Sequence, residues 1–211
     1  MGPEIIWKYF PHLSPVQRQQ IEALDELYRY WNAQINVISR KDIDNLYLHH
    51  ILHSMCIGLE VAFAPQAHIL DLGTGGGFPG IPLAILFPQS EFLLIDGTGK
   101  KIKVVKEIAK SLVLPNVRVL HCRAEHLKGE KFDFIVTRAV ATLDKLLTWS
   151  RPLLKKQMQH ALPNGLLALK GGAVEKEIKA LPRGCYATSF PLSEYVEEPW
   201  FQSKYLVYVQ G

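Results

Sequence analysis

Asp71-Leu72-Gly73-Thr74-Gly75-Gly76-Gly77-Phe78-Pro79-Gly80 is the stretch on which the fold turns. It follows a short apolar run, His68 to Leu72, and precedes a segment of helical character, Gly80 to Phe87. Glycines between a strand and a helix let the backbone bend tightly and approach a ligand with no Cβ in the way. Outward from this loop the same rhythm repeats. Phe92 to Ile95, Val117 to Leu120, Phe132 to Val136 and Leu166 to Leu169 have the length and composition of buried parallel strands. Gly99 to Leu112, with Ile102, Val105, Ala109 and Leu112 on one face, and Leu143 to Leu162 read as crossover helices. This alternation predicts an α/β fold, a mostly parallel sheet wound right-handed with helices on both faces. Two tail segments, Cys185 to Phe190 and Tyr205 to Gln210, bring the expected strands to seven.

Upstream of the loop, residues 1–65 read as a helical extension packed on a sheet domain of residues 66–211. Ser14, Pro15 and Gln17 form an N-cap, a first-turn proline and a capping-box partner, and Ile21, Leu24, Leu27, Tyr28 and Trp31 follow at helical spacing. Asp42 is predicted to cap a second long helix striped by Leu48, Ile51, Leu52, Met55 and Leu59 and ending before Pro65. A chain of 211 residues, 48% hydrophobic and 21% charged, is not collagen-like, low-complexity or broadly disordered. The net charge of +4 permits a polyanionic partner without demanding one. Cys56, Cys122 and Cys185 are odd in number and far apart, which supports neither a disulfide framework nor a zinc knuckle, and a core role is expected of Cys122 and Cys185. The start has no basic segment leading into an apolar run, and nothing reaches the roughly 18 apolar residues of a membrane span, so a cytoplasmic location is expected.

The glycines admit two registers. Read from Gly75 through Gly77 and Gly80 they fit the dinucleotide fingerprint, whereas Asp71, Gly73, Gly75 and Gly77 resemble motif I of class I S-adenosylmethionine-dependent methyltransferases. The next strand ends at Asp96, 23 residues beyond Gly73, where a carboxylate can accept ribose hydroxyls of either cofactor. The third strand runs into Cys122-Arg123-Ala124-Glu125, where Ala124 and Glu125 can meet an adenine.

The acceptor is constrained by what is missing. No Asp-Pro-Pro-aromatic turn follows the fourth strand, which reads Val136-Thr137-Arg138-Ala139, so adenine N6 chemistry is disfavoured. Neither Cys122 nor Cys185 follows a proline as a thiolate nucleophile for cytosine C5 would. Guanine N7 carries an in-plane lone pair and needs orientation but no base. Arg138 can grip a cofactor carboxylate or an RNA phosphate, and Lys170, after the fifth strand, can approach base or phosphate from the other rim. Arg123, Lys100 and Lys101 complete a basic mouth for RNA. His49 and His53 stand four residues apart but lack the glutamate of a zinc-protease helix, and no metal is expected.

Taken together, Asp71-Leu-Gly-Thr-Gly-Gly-Gly-Phe-Pro-Gly-Ile-Pro-Leu-Ala, Asp96-Gly-Thr-Gly-Lys-Lys, Arg123-Ala-Glu, Thr137-Arg-Ala-Val-Ala and Ala168-Leu-Lys-Gly-Gly resemble the bacterial 16S ribosomal RNA guanine-N7 methyltransferases, historically the glucose-inhibited division protein B family. The likeness covers nearly the whole chain. It implies a class I Rossmann-like fold and methyl transfer from S-adenosylmethionine to N7 of one guanine in the 530 loop, in the decoding region, of 16S RNA. The substrate would be that RNA, the small subunit or an assembly intermediate. Cofactor contacts would fall on Gly73, Phe78, Ala124, Glu125 and Arg138, with Asp96 near the ribose, and Asp71 and Gly75 of the glycine loop are expected to join them. The chain departs from the family pattern at Asn36-Val37-Ile38 and at His53-Ser54, both outside the glycine loop. A small-molecule methyltransferase, a nicotinamide-dependent oxidoreductase and a non-enzymatic RNA-binding module are the competing readings.

Overall fold

A computed structural model describes residues 1–211. Seven strands, β1 (His68–Leu72), β2 (Glu91–Asp96), β3 (Val117–His121), β4 (Phe134–Arg138), β5 (Gly165–Gly171), β6 (Ala187–Pro191) and β7 (Lys204–Gln210), form one sheet in the order β3-β2-β1-β4-β5-β7-β6. The pairs from β3 to β5 are parallel, and β7 runs antiparallel between β5 and β6. Winding reverses between β1 and β4, so the loop after β1 opens at the switch point, where open α/β sheets bind ligands.

The central strands β1, β2, β4, β5 and β7 are buried on both faces because their side chains alternate between two apolar clusters, whereas the edge strands β3 and β6 are only partly covered. Phe134, Val136, Leu167 and Leu169 enter a cluster of 41 buried residues on one face, while Ile135, Leu166 and Ala168 enter a cluster of 17 on the other. Ile6, Ile21, Leu24 and Tyr28 belong to the larger cluster together with Phe92 and Tyr208, so the first residues of the chain share a core with the sheet.

Helices α1 (Glu4–Tyr9) and α2 (Pro15–Gln34) open the chain. The capping box of α2 is formed, and Gln17 also donates through Nε2 to Ile85 O at 2.8 Å, fastening α2 to the helix after the glycine loop. The expected second long helix is a composite: a 3₁₀ turn at Ile43–Asn45, a π-helical stretch at Leu46–Leu52, then α3 (His53–Met55) and α4 (Ile57–Glu60). Leu46, Tyr47, Leu48, Ile51 and Leu52 are all buried, more than one stripe of a regular helix can present. Asp42 does not cap it, and its carboxylate turns to Asn45, His49 and His50 instead.

Helices α5 (Gly80–Leu86) and α6 (Gly99–Ser111) stand where expected, but α7 (Leu143–Ser150) stops well short of Leu162. Pro152 cannot continue the hydrogen-bond ladder, and the chain passes through a 3₁₀ turn at Arg151–Leu153. Phe132 is then paired outside β4, donating to Leu153 O and accepting from Lys155 N, each at 2.8 Å. Helix α1 lies within the expected helical extension, and α8 (Val174–Lys179) is an additional helix between β5 and β6. No helix is long and apolar enough to cross a membrane.

Candidate active site at the switch point

The C-terminal ends of β1, β2 and β3 frame a cavity of about 310 Å³. Its wall includes Gly73, Asp96, Arg123, Ala124 and Glu125, all expected from sequence, and also Cys122, Val140 and Trp149, which were not. Cys122 is half-buried beside the cavity, where a core position was expected. The volume lies at the lower end of the roughly 300–1,000 Å³ range of small-molecule pockets.

The backbone bend that makes room for a ligand is held from below. Asp71 is fully buried, and its Oδ2 accepts Thr74 Oγ1 at 2.5 Å and Gly80 N at 2.8 Å. Burial pushes its carboxyl up to about 7, against those two donors and the positive charge of Arg138. Asp71 was expected to touch the cofactor; with no exposed surface, it braces the loop instead. Asp96 closes the loop from the other side, its Oδ2 accepting Gly75 N at 2.9 Å and its Oδ1 Thr98 N at 2.7 Å. Gly75 is thereby tied to Asp96 across the loop. Gly73 has φ +71, and a Cβ there would lie 2.6 Å from Val140 Cγ2, so a side chain would meet the valine on the cavity wall.

The N-terminal helices brace the same loop. Tyr28 donates to Gly76 O at 2.7 Å, and its ring stacks on Phe78 with centroids 4.8 Å apart. Phe78 is only 3% exposed, so the ring expected to meet the cofactor is a floor for the loop. Above it lies Arg138, with its guanidinium 4.9 Å from the ring centroid. The β1–β4 register ends with Asp71 opposite Val136, and Arg138 closes β4 two residues further on, outside the wall of the cavity. Arg138 NH1 donates to His49 O at 3.1 Å and NH2 to His50 Nδ1 at 3.0 Å. Burial lowers its pKa to about 10, which leaves it charged at neutral pH.

Lys170 is not the free cation expected at the opposite rim. Its ammonium donates to Ala141 O at 2.6 Å and to Glu177 Oε2 at 2.8 Å, and the same carboxylate oxygen accepts Leu143 N. A partner on the unanticipated helix α8 turns this lysine into a tie for the loop that carries Val140. Lys170→Met is therefore expected to lower stability by about 2 kcal/mol in urea unfolding while cofactor affinity stays near wild type. A variant as stable as wild type contradicts the tie. Arg123 and Lys100 are exposed and Lys101 half-exposed around Gly97 and Thr98, so these three form a basic lip. His49 and His53 do not converge on a common ligand position: His49 stacks on Trp200 at 4.3 Å, and His53 is buried edge-on to Trp200 and Phe201.

A sheet of this order, with a glycine bend at its switch point and a carboxylate ending the second strand, defines a class I S-adenosylmethionine-dependent methyltransferase fold. Two solved structures share it. The plantazolicin methyltransferase BpumL in complex with S-adenosylhomocysteine (SAH) superimposes with a TM-score of 0.59 at 12% identity, covering 93% of this chain and 98% of that one. A variant of MtNAS in complex with S-adenosylmethionine gives 0.58 at 12% identity, with 94% and 77% covered. The chain belongs to the family described as rRNA small subunit methyltransferase G, which matches residues 17–198. Proteins named ribosomal RNA small subunit methyltransferase G are 57% identical in Porphyromonas gingivalis, over 99% of this chain and 93% of that one, and 51% identical in Flavobacterium johnsoniae, over 97% and 96%. Family membership leaves no ground for the oxidoreductase reading.

Proposed function

We propose that this chain transfers the methyl group of S-adenosylmethionine to N7 of one guanine in the 530 loop of 16S ribosomal RNA. One observation carries the reading: in a chain of this family, the strand ends at the switch point frame a single cavity with a carboxylate, a glycine bend and a basic lip. The cofactor supplies a methyl group on a sulfonium, activated for in-line displacement. Asp96 would accept the ribose hydroxyls, Ala124 and Glu125 would meet the adenine, and the Gly73 bend would lie under the sulfur. Arg138, at the end of β4 and held by His49 O and His50 Nδ1, would face the cofactor's carboxylate. Arg123, Lys100 and Lys101 would meet RNA phosphates, giving a salt-sensitive encounter.

A ring nitrogen with its own lone pair asks the protein for alignment and charge stabilisation only. The target base must be unstacked to reach the bend. The test incubates the purified chain and S-adenosylmethionine with naked 16S RNA, an assembly intermediate and mature small subunits from a strain lacking this activity. One 7-methylguanine in the 530 loop, on at least one substrate, is the expected result. Methylation at another atom or position, or none on any substrate, overturns the reading.

A further inference from the structure

We propose that His50 is a positioning residue for Arg138, and that Asp42 fixes the proton of its ring so that the bare nitrogen faces the guanidinium. The inference rests on the reading that Arg138 faces the carboxylate of the cofactor. It adds the device that holds the arginine there.

The proton count settles the state of the ring. A guanidinium is a donor at every nitrogen and accepts nothing. The 3.0 Å contact from Arg138 NH2 to His50 Nδ1 therefore requires Nδ1 to be unprotonated. The ring proton then lies on Nε2, which donates to Asp42 Oδ2 at 2.8 Å. The other oxygen of Asp42 accepts His49 Nδ1–H at 2.6 Å and Asn45 Nδ2 at 3.0 Å. Burial pushes the Asp42 carboxyl up, but its bonds to Asn45, His49 and His50 together hold it below the usual carboxylate range. Burial, then the charge of Arg138, lower His50 to about 4 against the pull of Asp42, so the neutral ring persists across the physiological range.

The geometry around Arg138 is correspondingly fixed. Phe78 supports one face of its guanidinium, and His49 O and His50 Nδ1 take one N–H each from NH1 and NH2. Of the five N–H groups of an arginine, these two are taken and three make no hydrogen bond within the protein. His49, whose carbonyl takes one of the bonds, is itself clamped between Asp42 and the Trp200 ring. Asp42, His49 and His50 all come from the N-terminal segment. This gives that segment a part in ordering the cofactor site beyond its contribution to the core.

The test compares two ligands by calorimetry. SAH carries the amino acid carboxylate, and 5′-methylthioadenosine lacks it. His50→Leu removes the acceptor and is expected to weaken SAH about tenfold while leaving methylthioadenosine within about twofold. His50→Asn, whose side-chain oxygen can stand near the place of Nδ1, is expected to recover most of the loss. Equal weakening of both ligands by His50→Leu, or none, overturns the proposal. Arg138→Met separates the two readings. If it abolishes the preference for SAH over methylthioadenosine while His50→Leu does not lower it, only the role of His50 falls. If Arg138→Met keeps the preference, the assignment of Arg138 to the carboxylate falls, and the role of His50 with it.

Discussion

Gly80→Ala is expected to destabilise the fold by about 3 kcal/mol, read as a lower urea midpoint at unchanged slope. The reason is steric. Gly80 opens α5 directly against the sheet, and a Cβ there would stand 2.6 Å from Asp71 Oδ2 and 2.7 Å from Leu94 Cγ. Both neighbours belong to central strands, β1 and β2, with Asp71 fully buried and Leu94 likewise, so neither has a surface to move toward. Relief by shifting the helix would stretch the 2.8 Å bond from Gly80 N to Asp71 Oδ2 and release the floor of the glycine bend. Cofactor affinity is therefore expected to fall along with stability, although Gly80 itself lines no part of the cavity. An alanine variant with the wild-type midpoint would show that α5 and β1 are less tightly apposed than the contact distances imply.

Much of this frame is legible in the residues because strands buried on both faces and glycine bends leave local marks. The five parallel strands read as short apolar runs, and Asp71 through Gly80 locate the switch point unaided. The site was legible where a residue's place on its strand decides its exposure, as for Asp96, Arg123, Ala124 and Glu125 at the ends of β2 and β3. It failed where a distant partner decides. Lys170 reads as a free cation until Glu177 on α8 is seen beside it, and that helix has too short a stripe to announce itself. Phe78 reads as a ligand contact until Tyr28 stacks beneath it. The bond between His50 and Arg138 joins residues 88 apart and depends on a π-helical stretch, whose spacing a regular heptad-like stripe disguises. Trp149 reaches the cavity only because α7 lies along the far face of the sheet, a tertiary fact with no local signature.

Asp71 gives the second large effect, a pH dependence of stability with a defined sign. In the folded protein its carboxyl is raised to about 7, chiefly by burial, whereas an exposed aspartate in the unfolded chain titrates at about 3.9. Between those values the folded state holds the proton and the unfolded state has lost it, so folding takes up a proton and stability falls as pH rises. The contribution is fully present below the unfolded pKa, declines by about 1.4 kcal/mol per pH unit across the window, and is spent above the folded value. Other groups add slopes of their own. Burial lowers both His50 and His53, and their contribution grows as pH rises through the ordinary histidine range. Asp71→Asn isolates the carboxyl from these, because asparagine is close in shape to the protonated acid and has no proton to lose. Its amide oxygen can still accept from Thr74 and Gly80. The stability of the variant relative to wild type is expected to improve by about 3 kcal/mol between pH 5 and pH 8, measured by urea unfolding at closely spaced pH values. A difference that stays constant over that range would mean that Asp71 is ionised throughout, with the nearby Arg138 charge outweighing burial. The brace beneath the glycine bend would then be an ion pair in effect, and raising the pH would leave it intact.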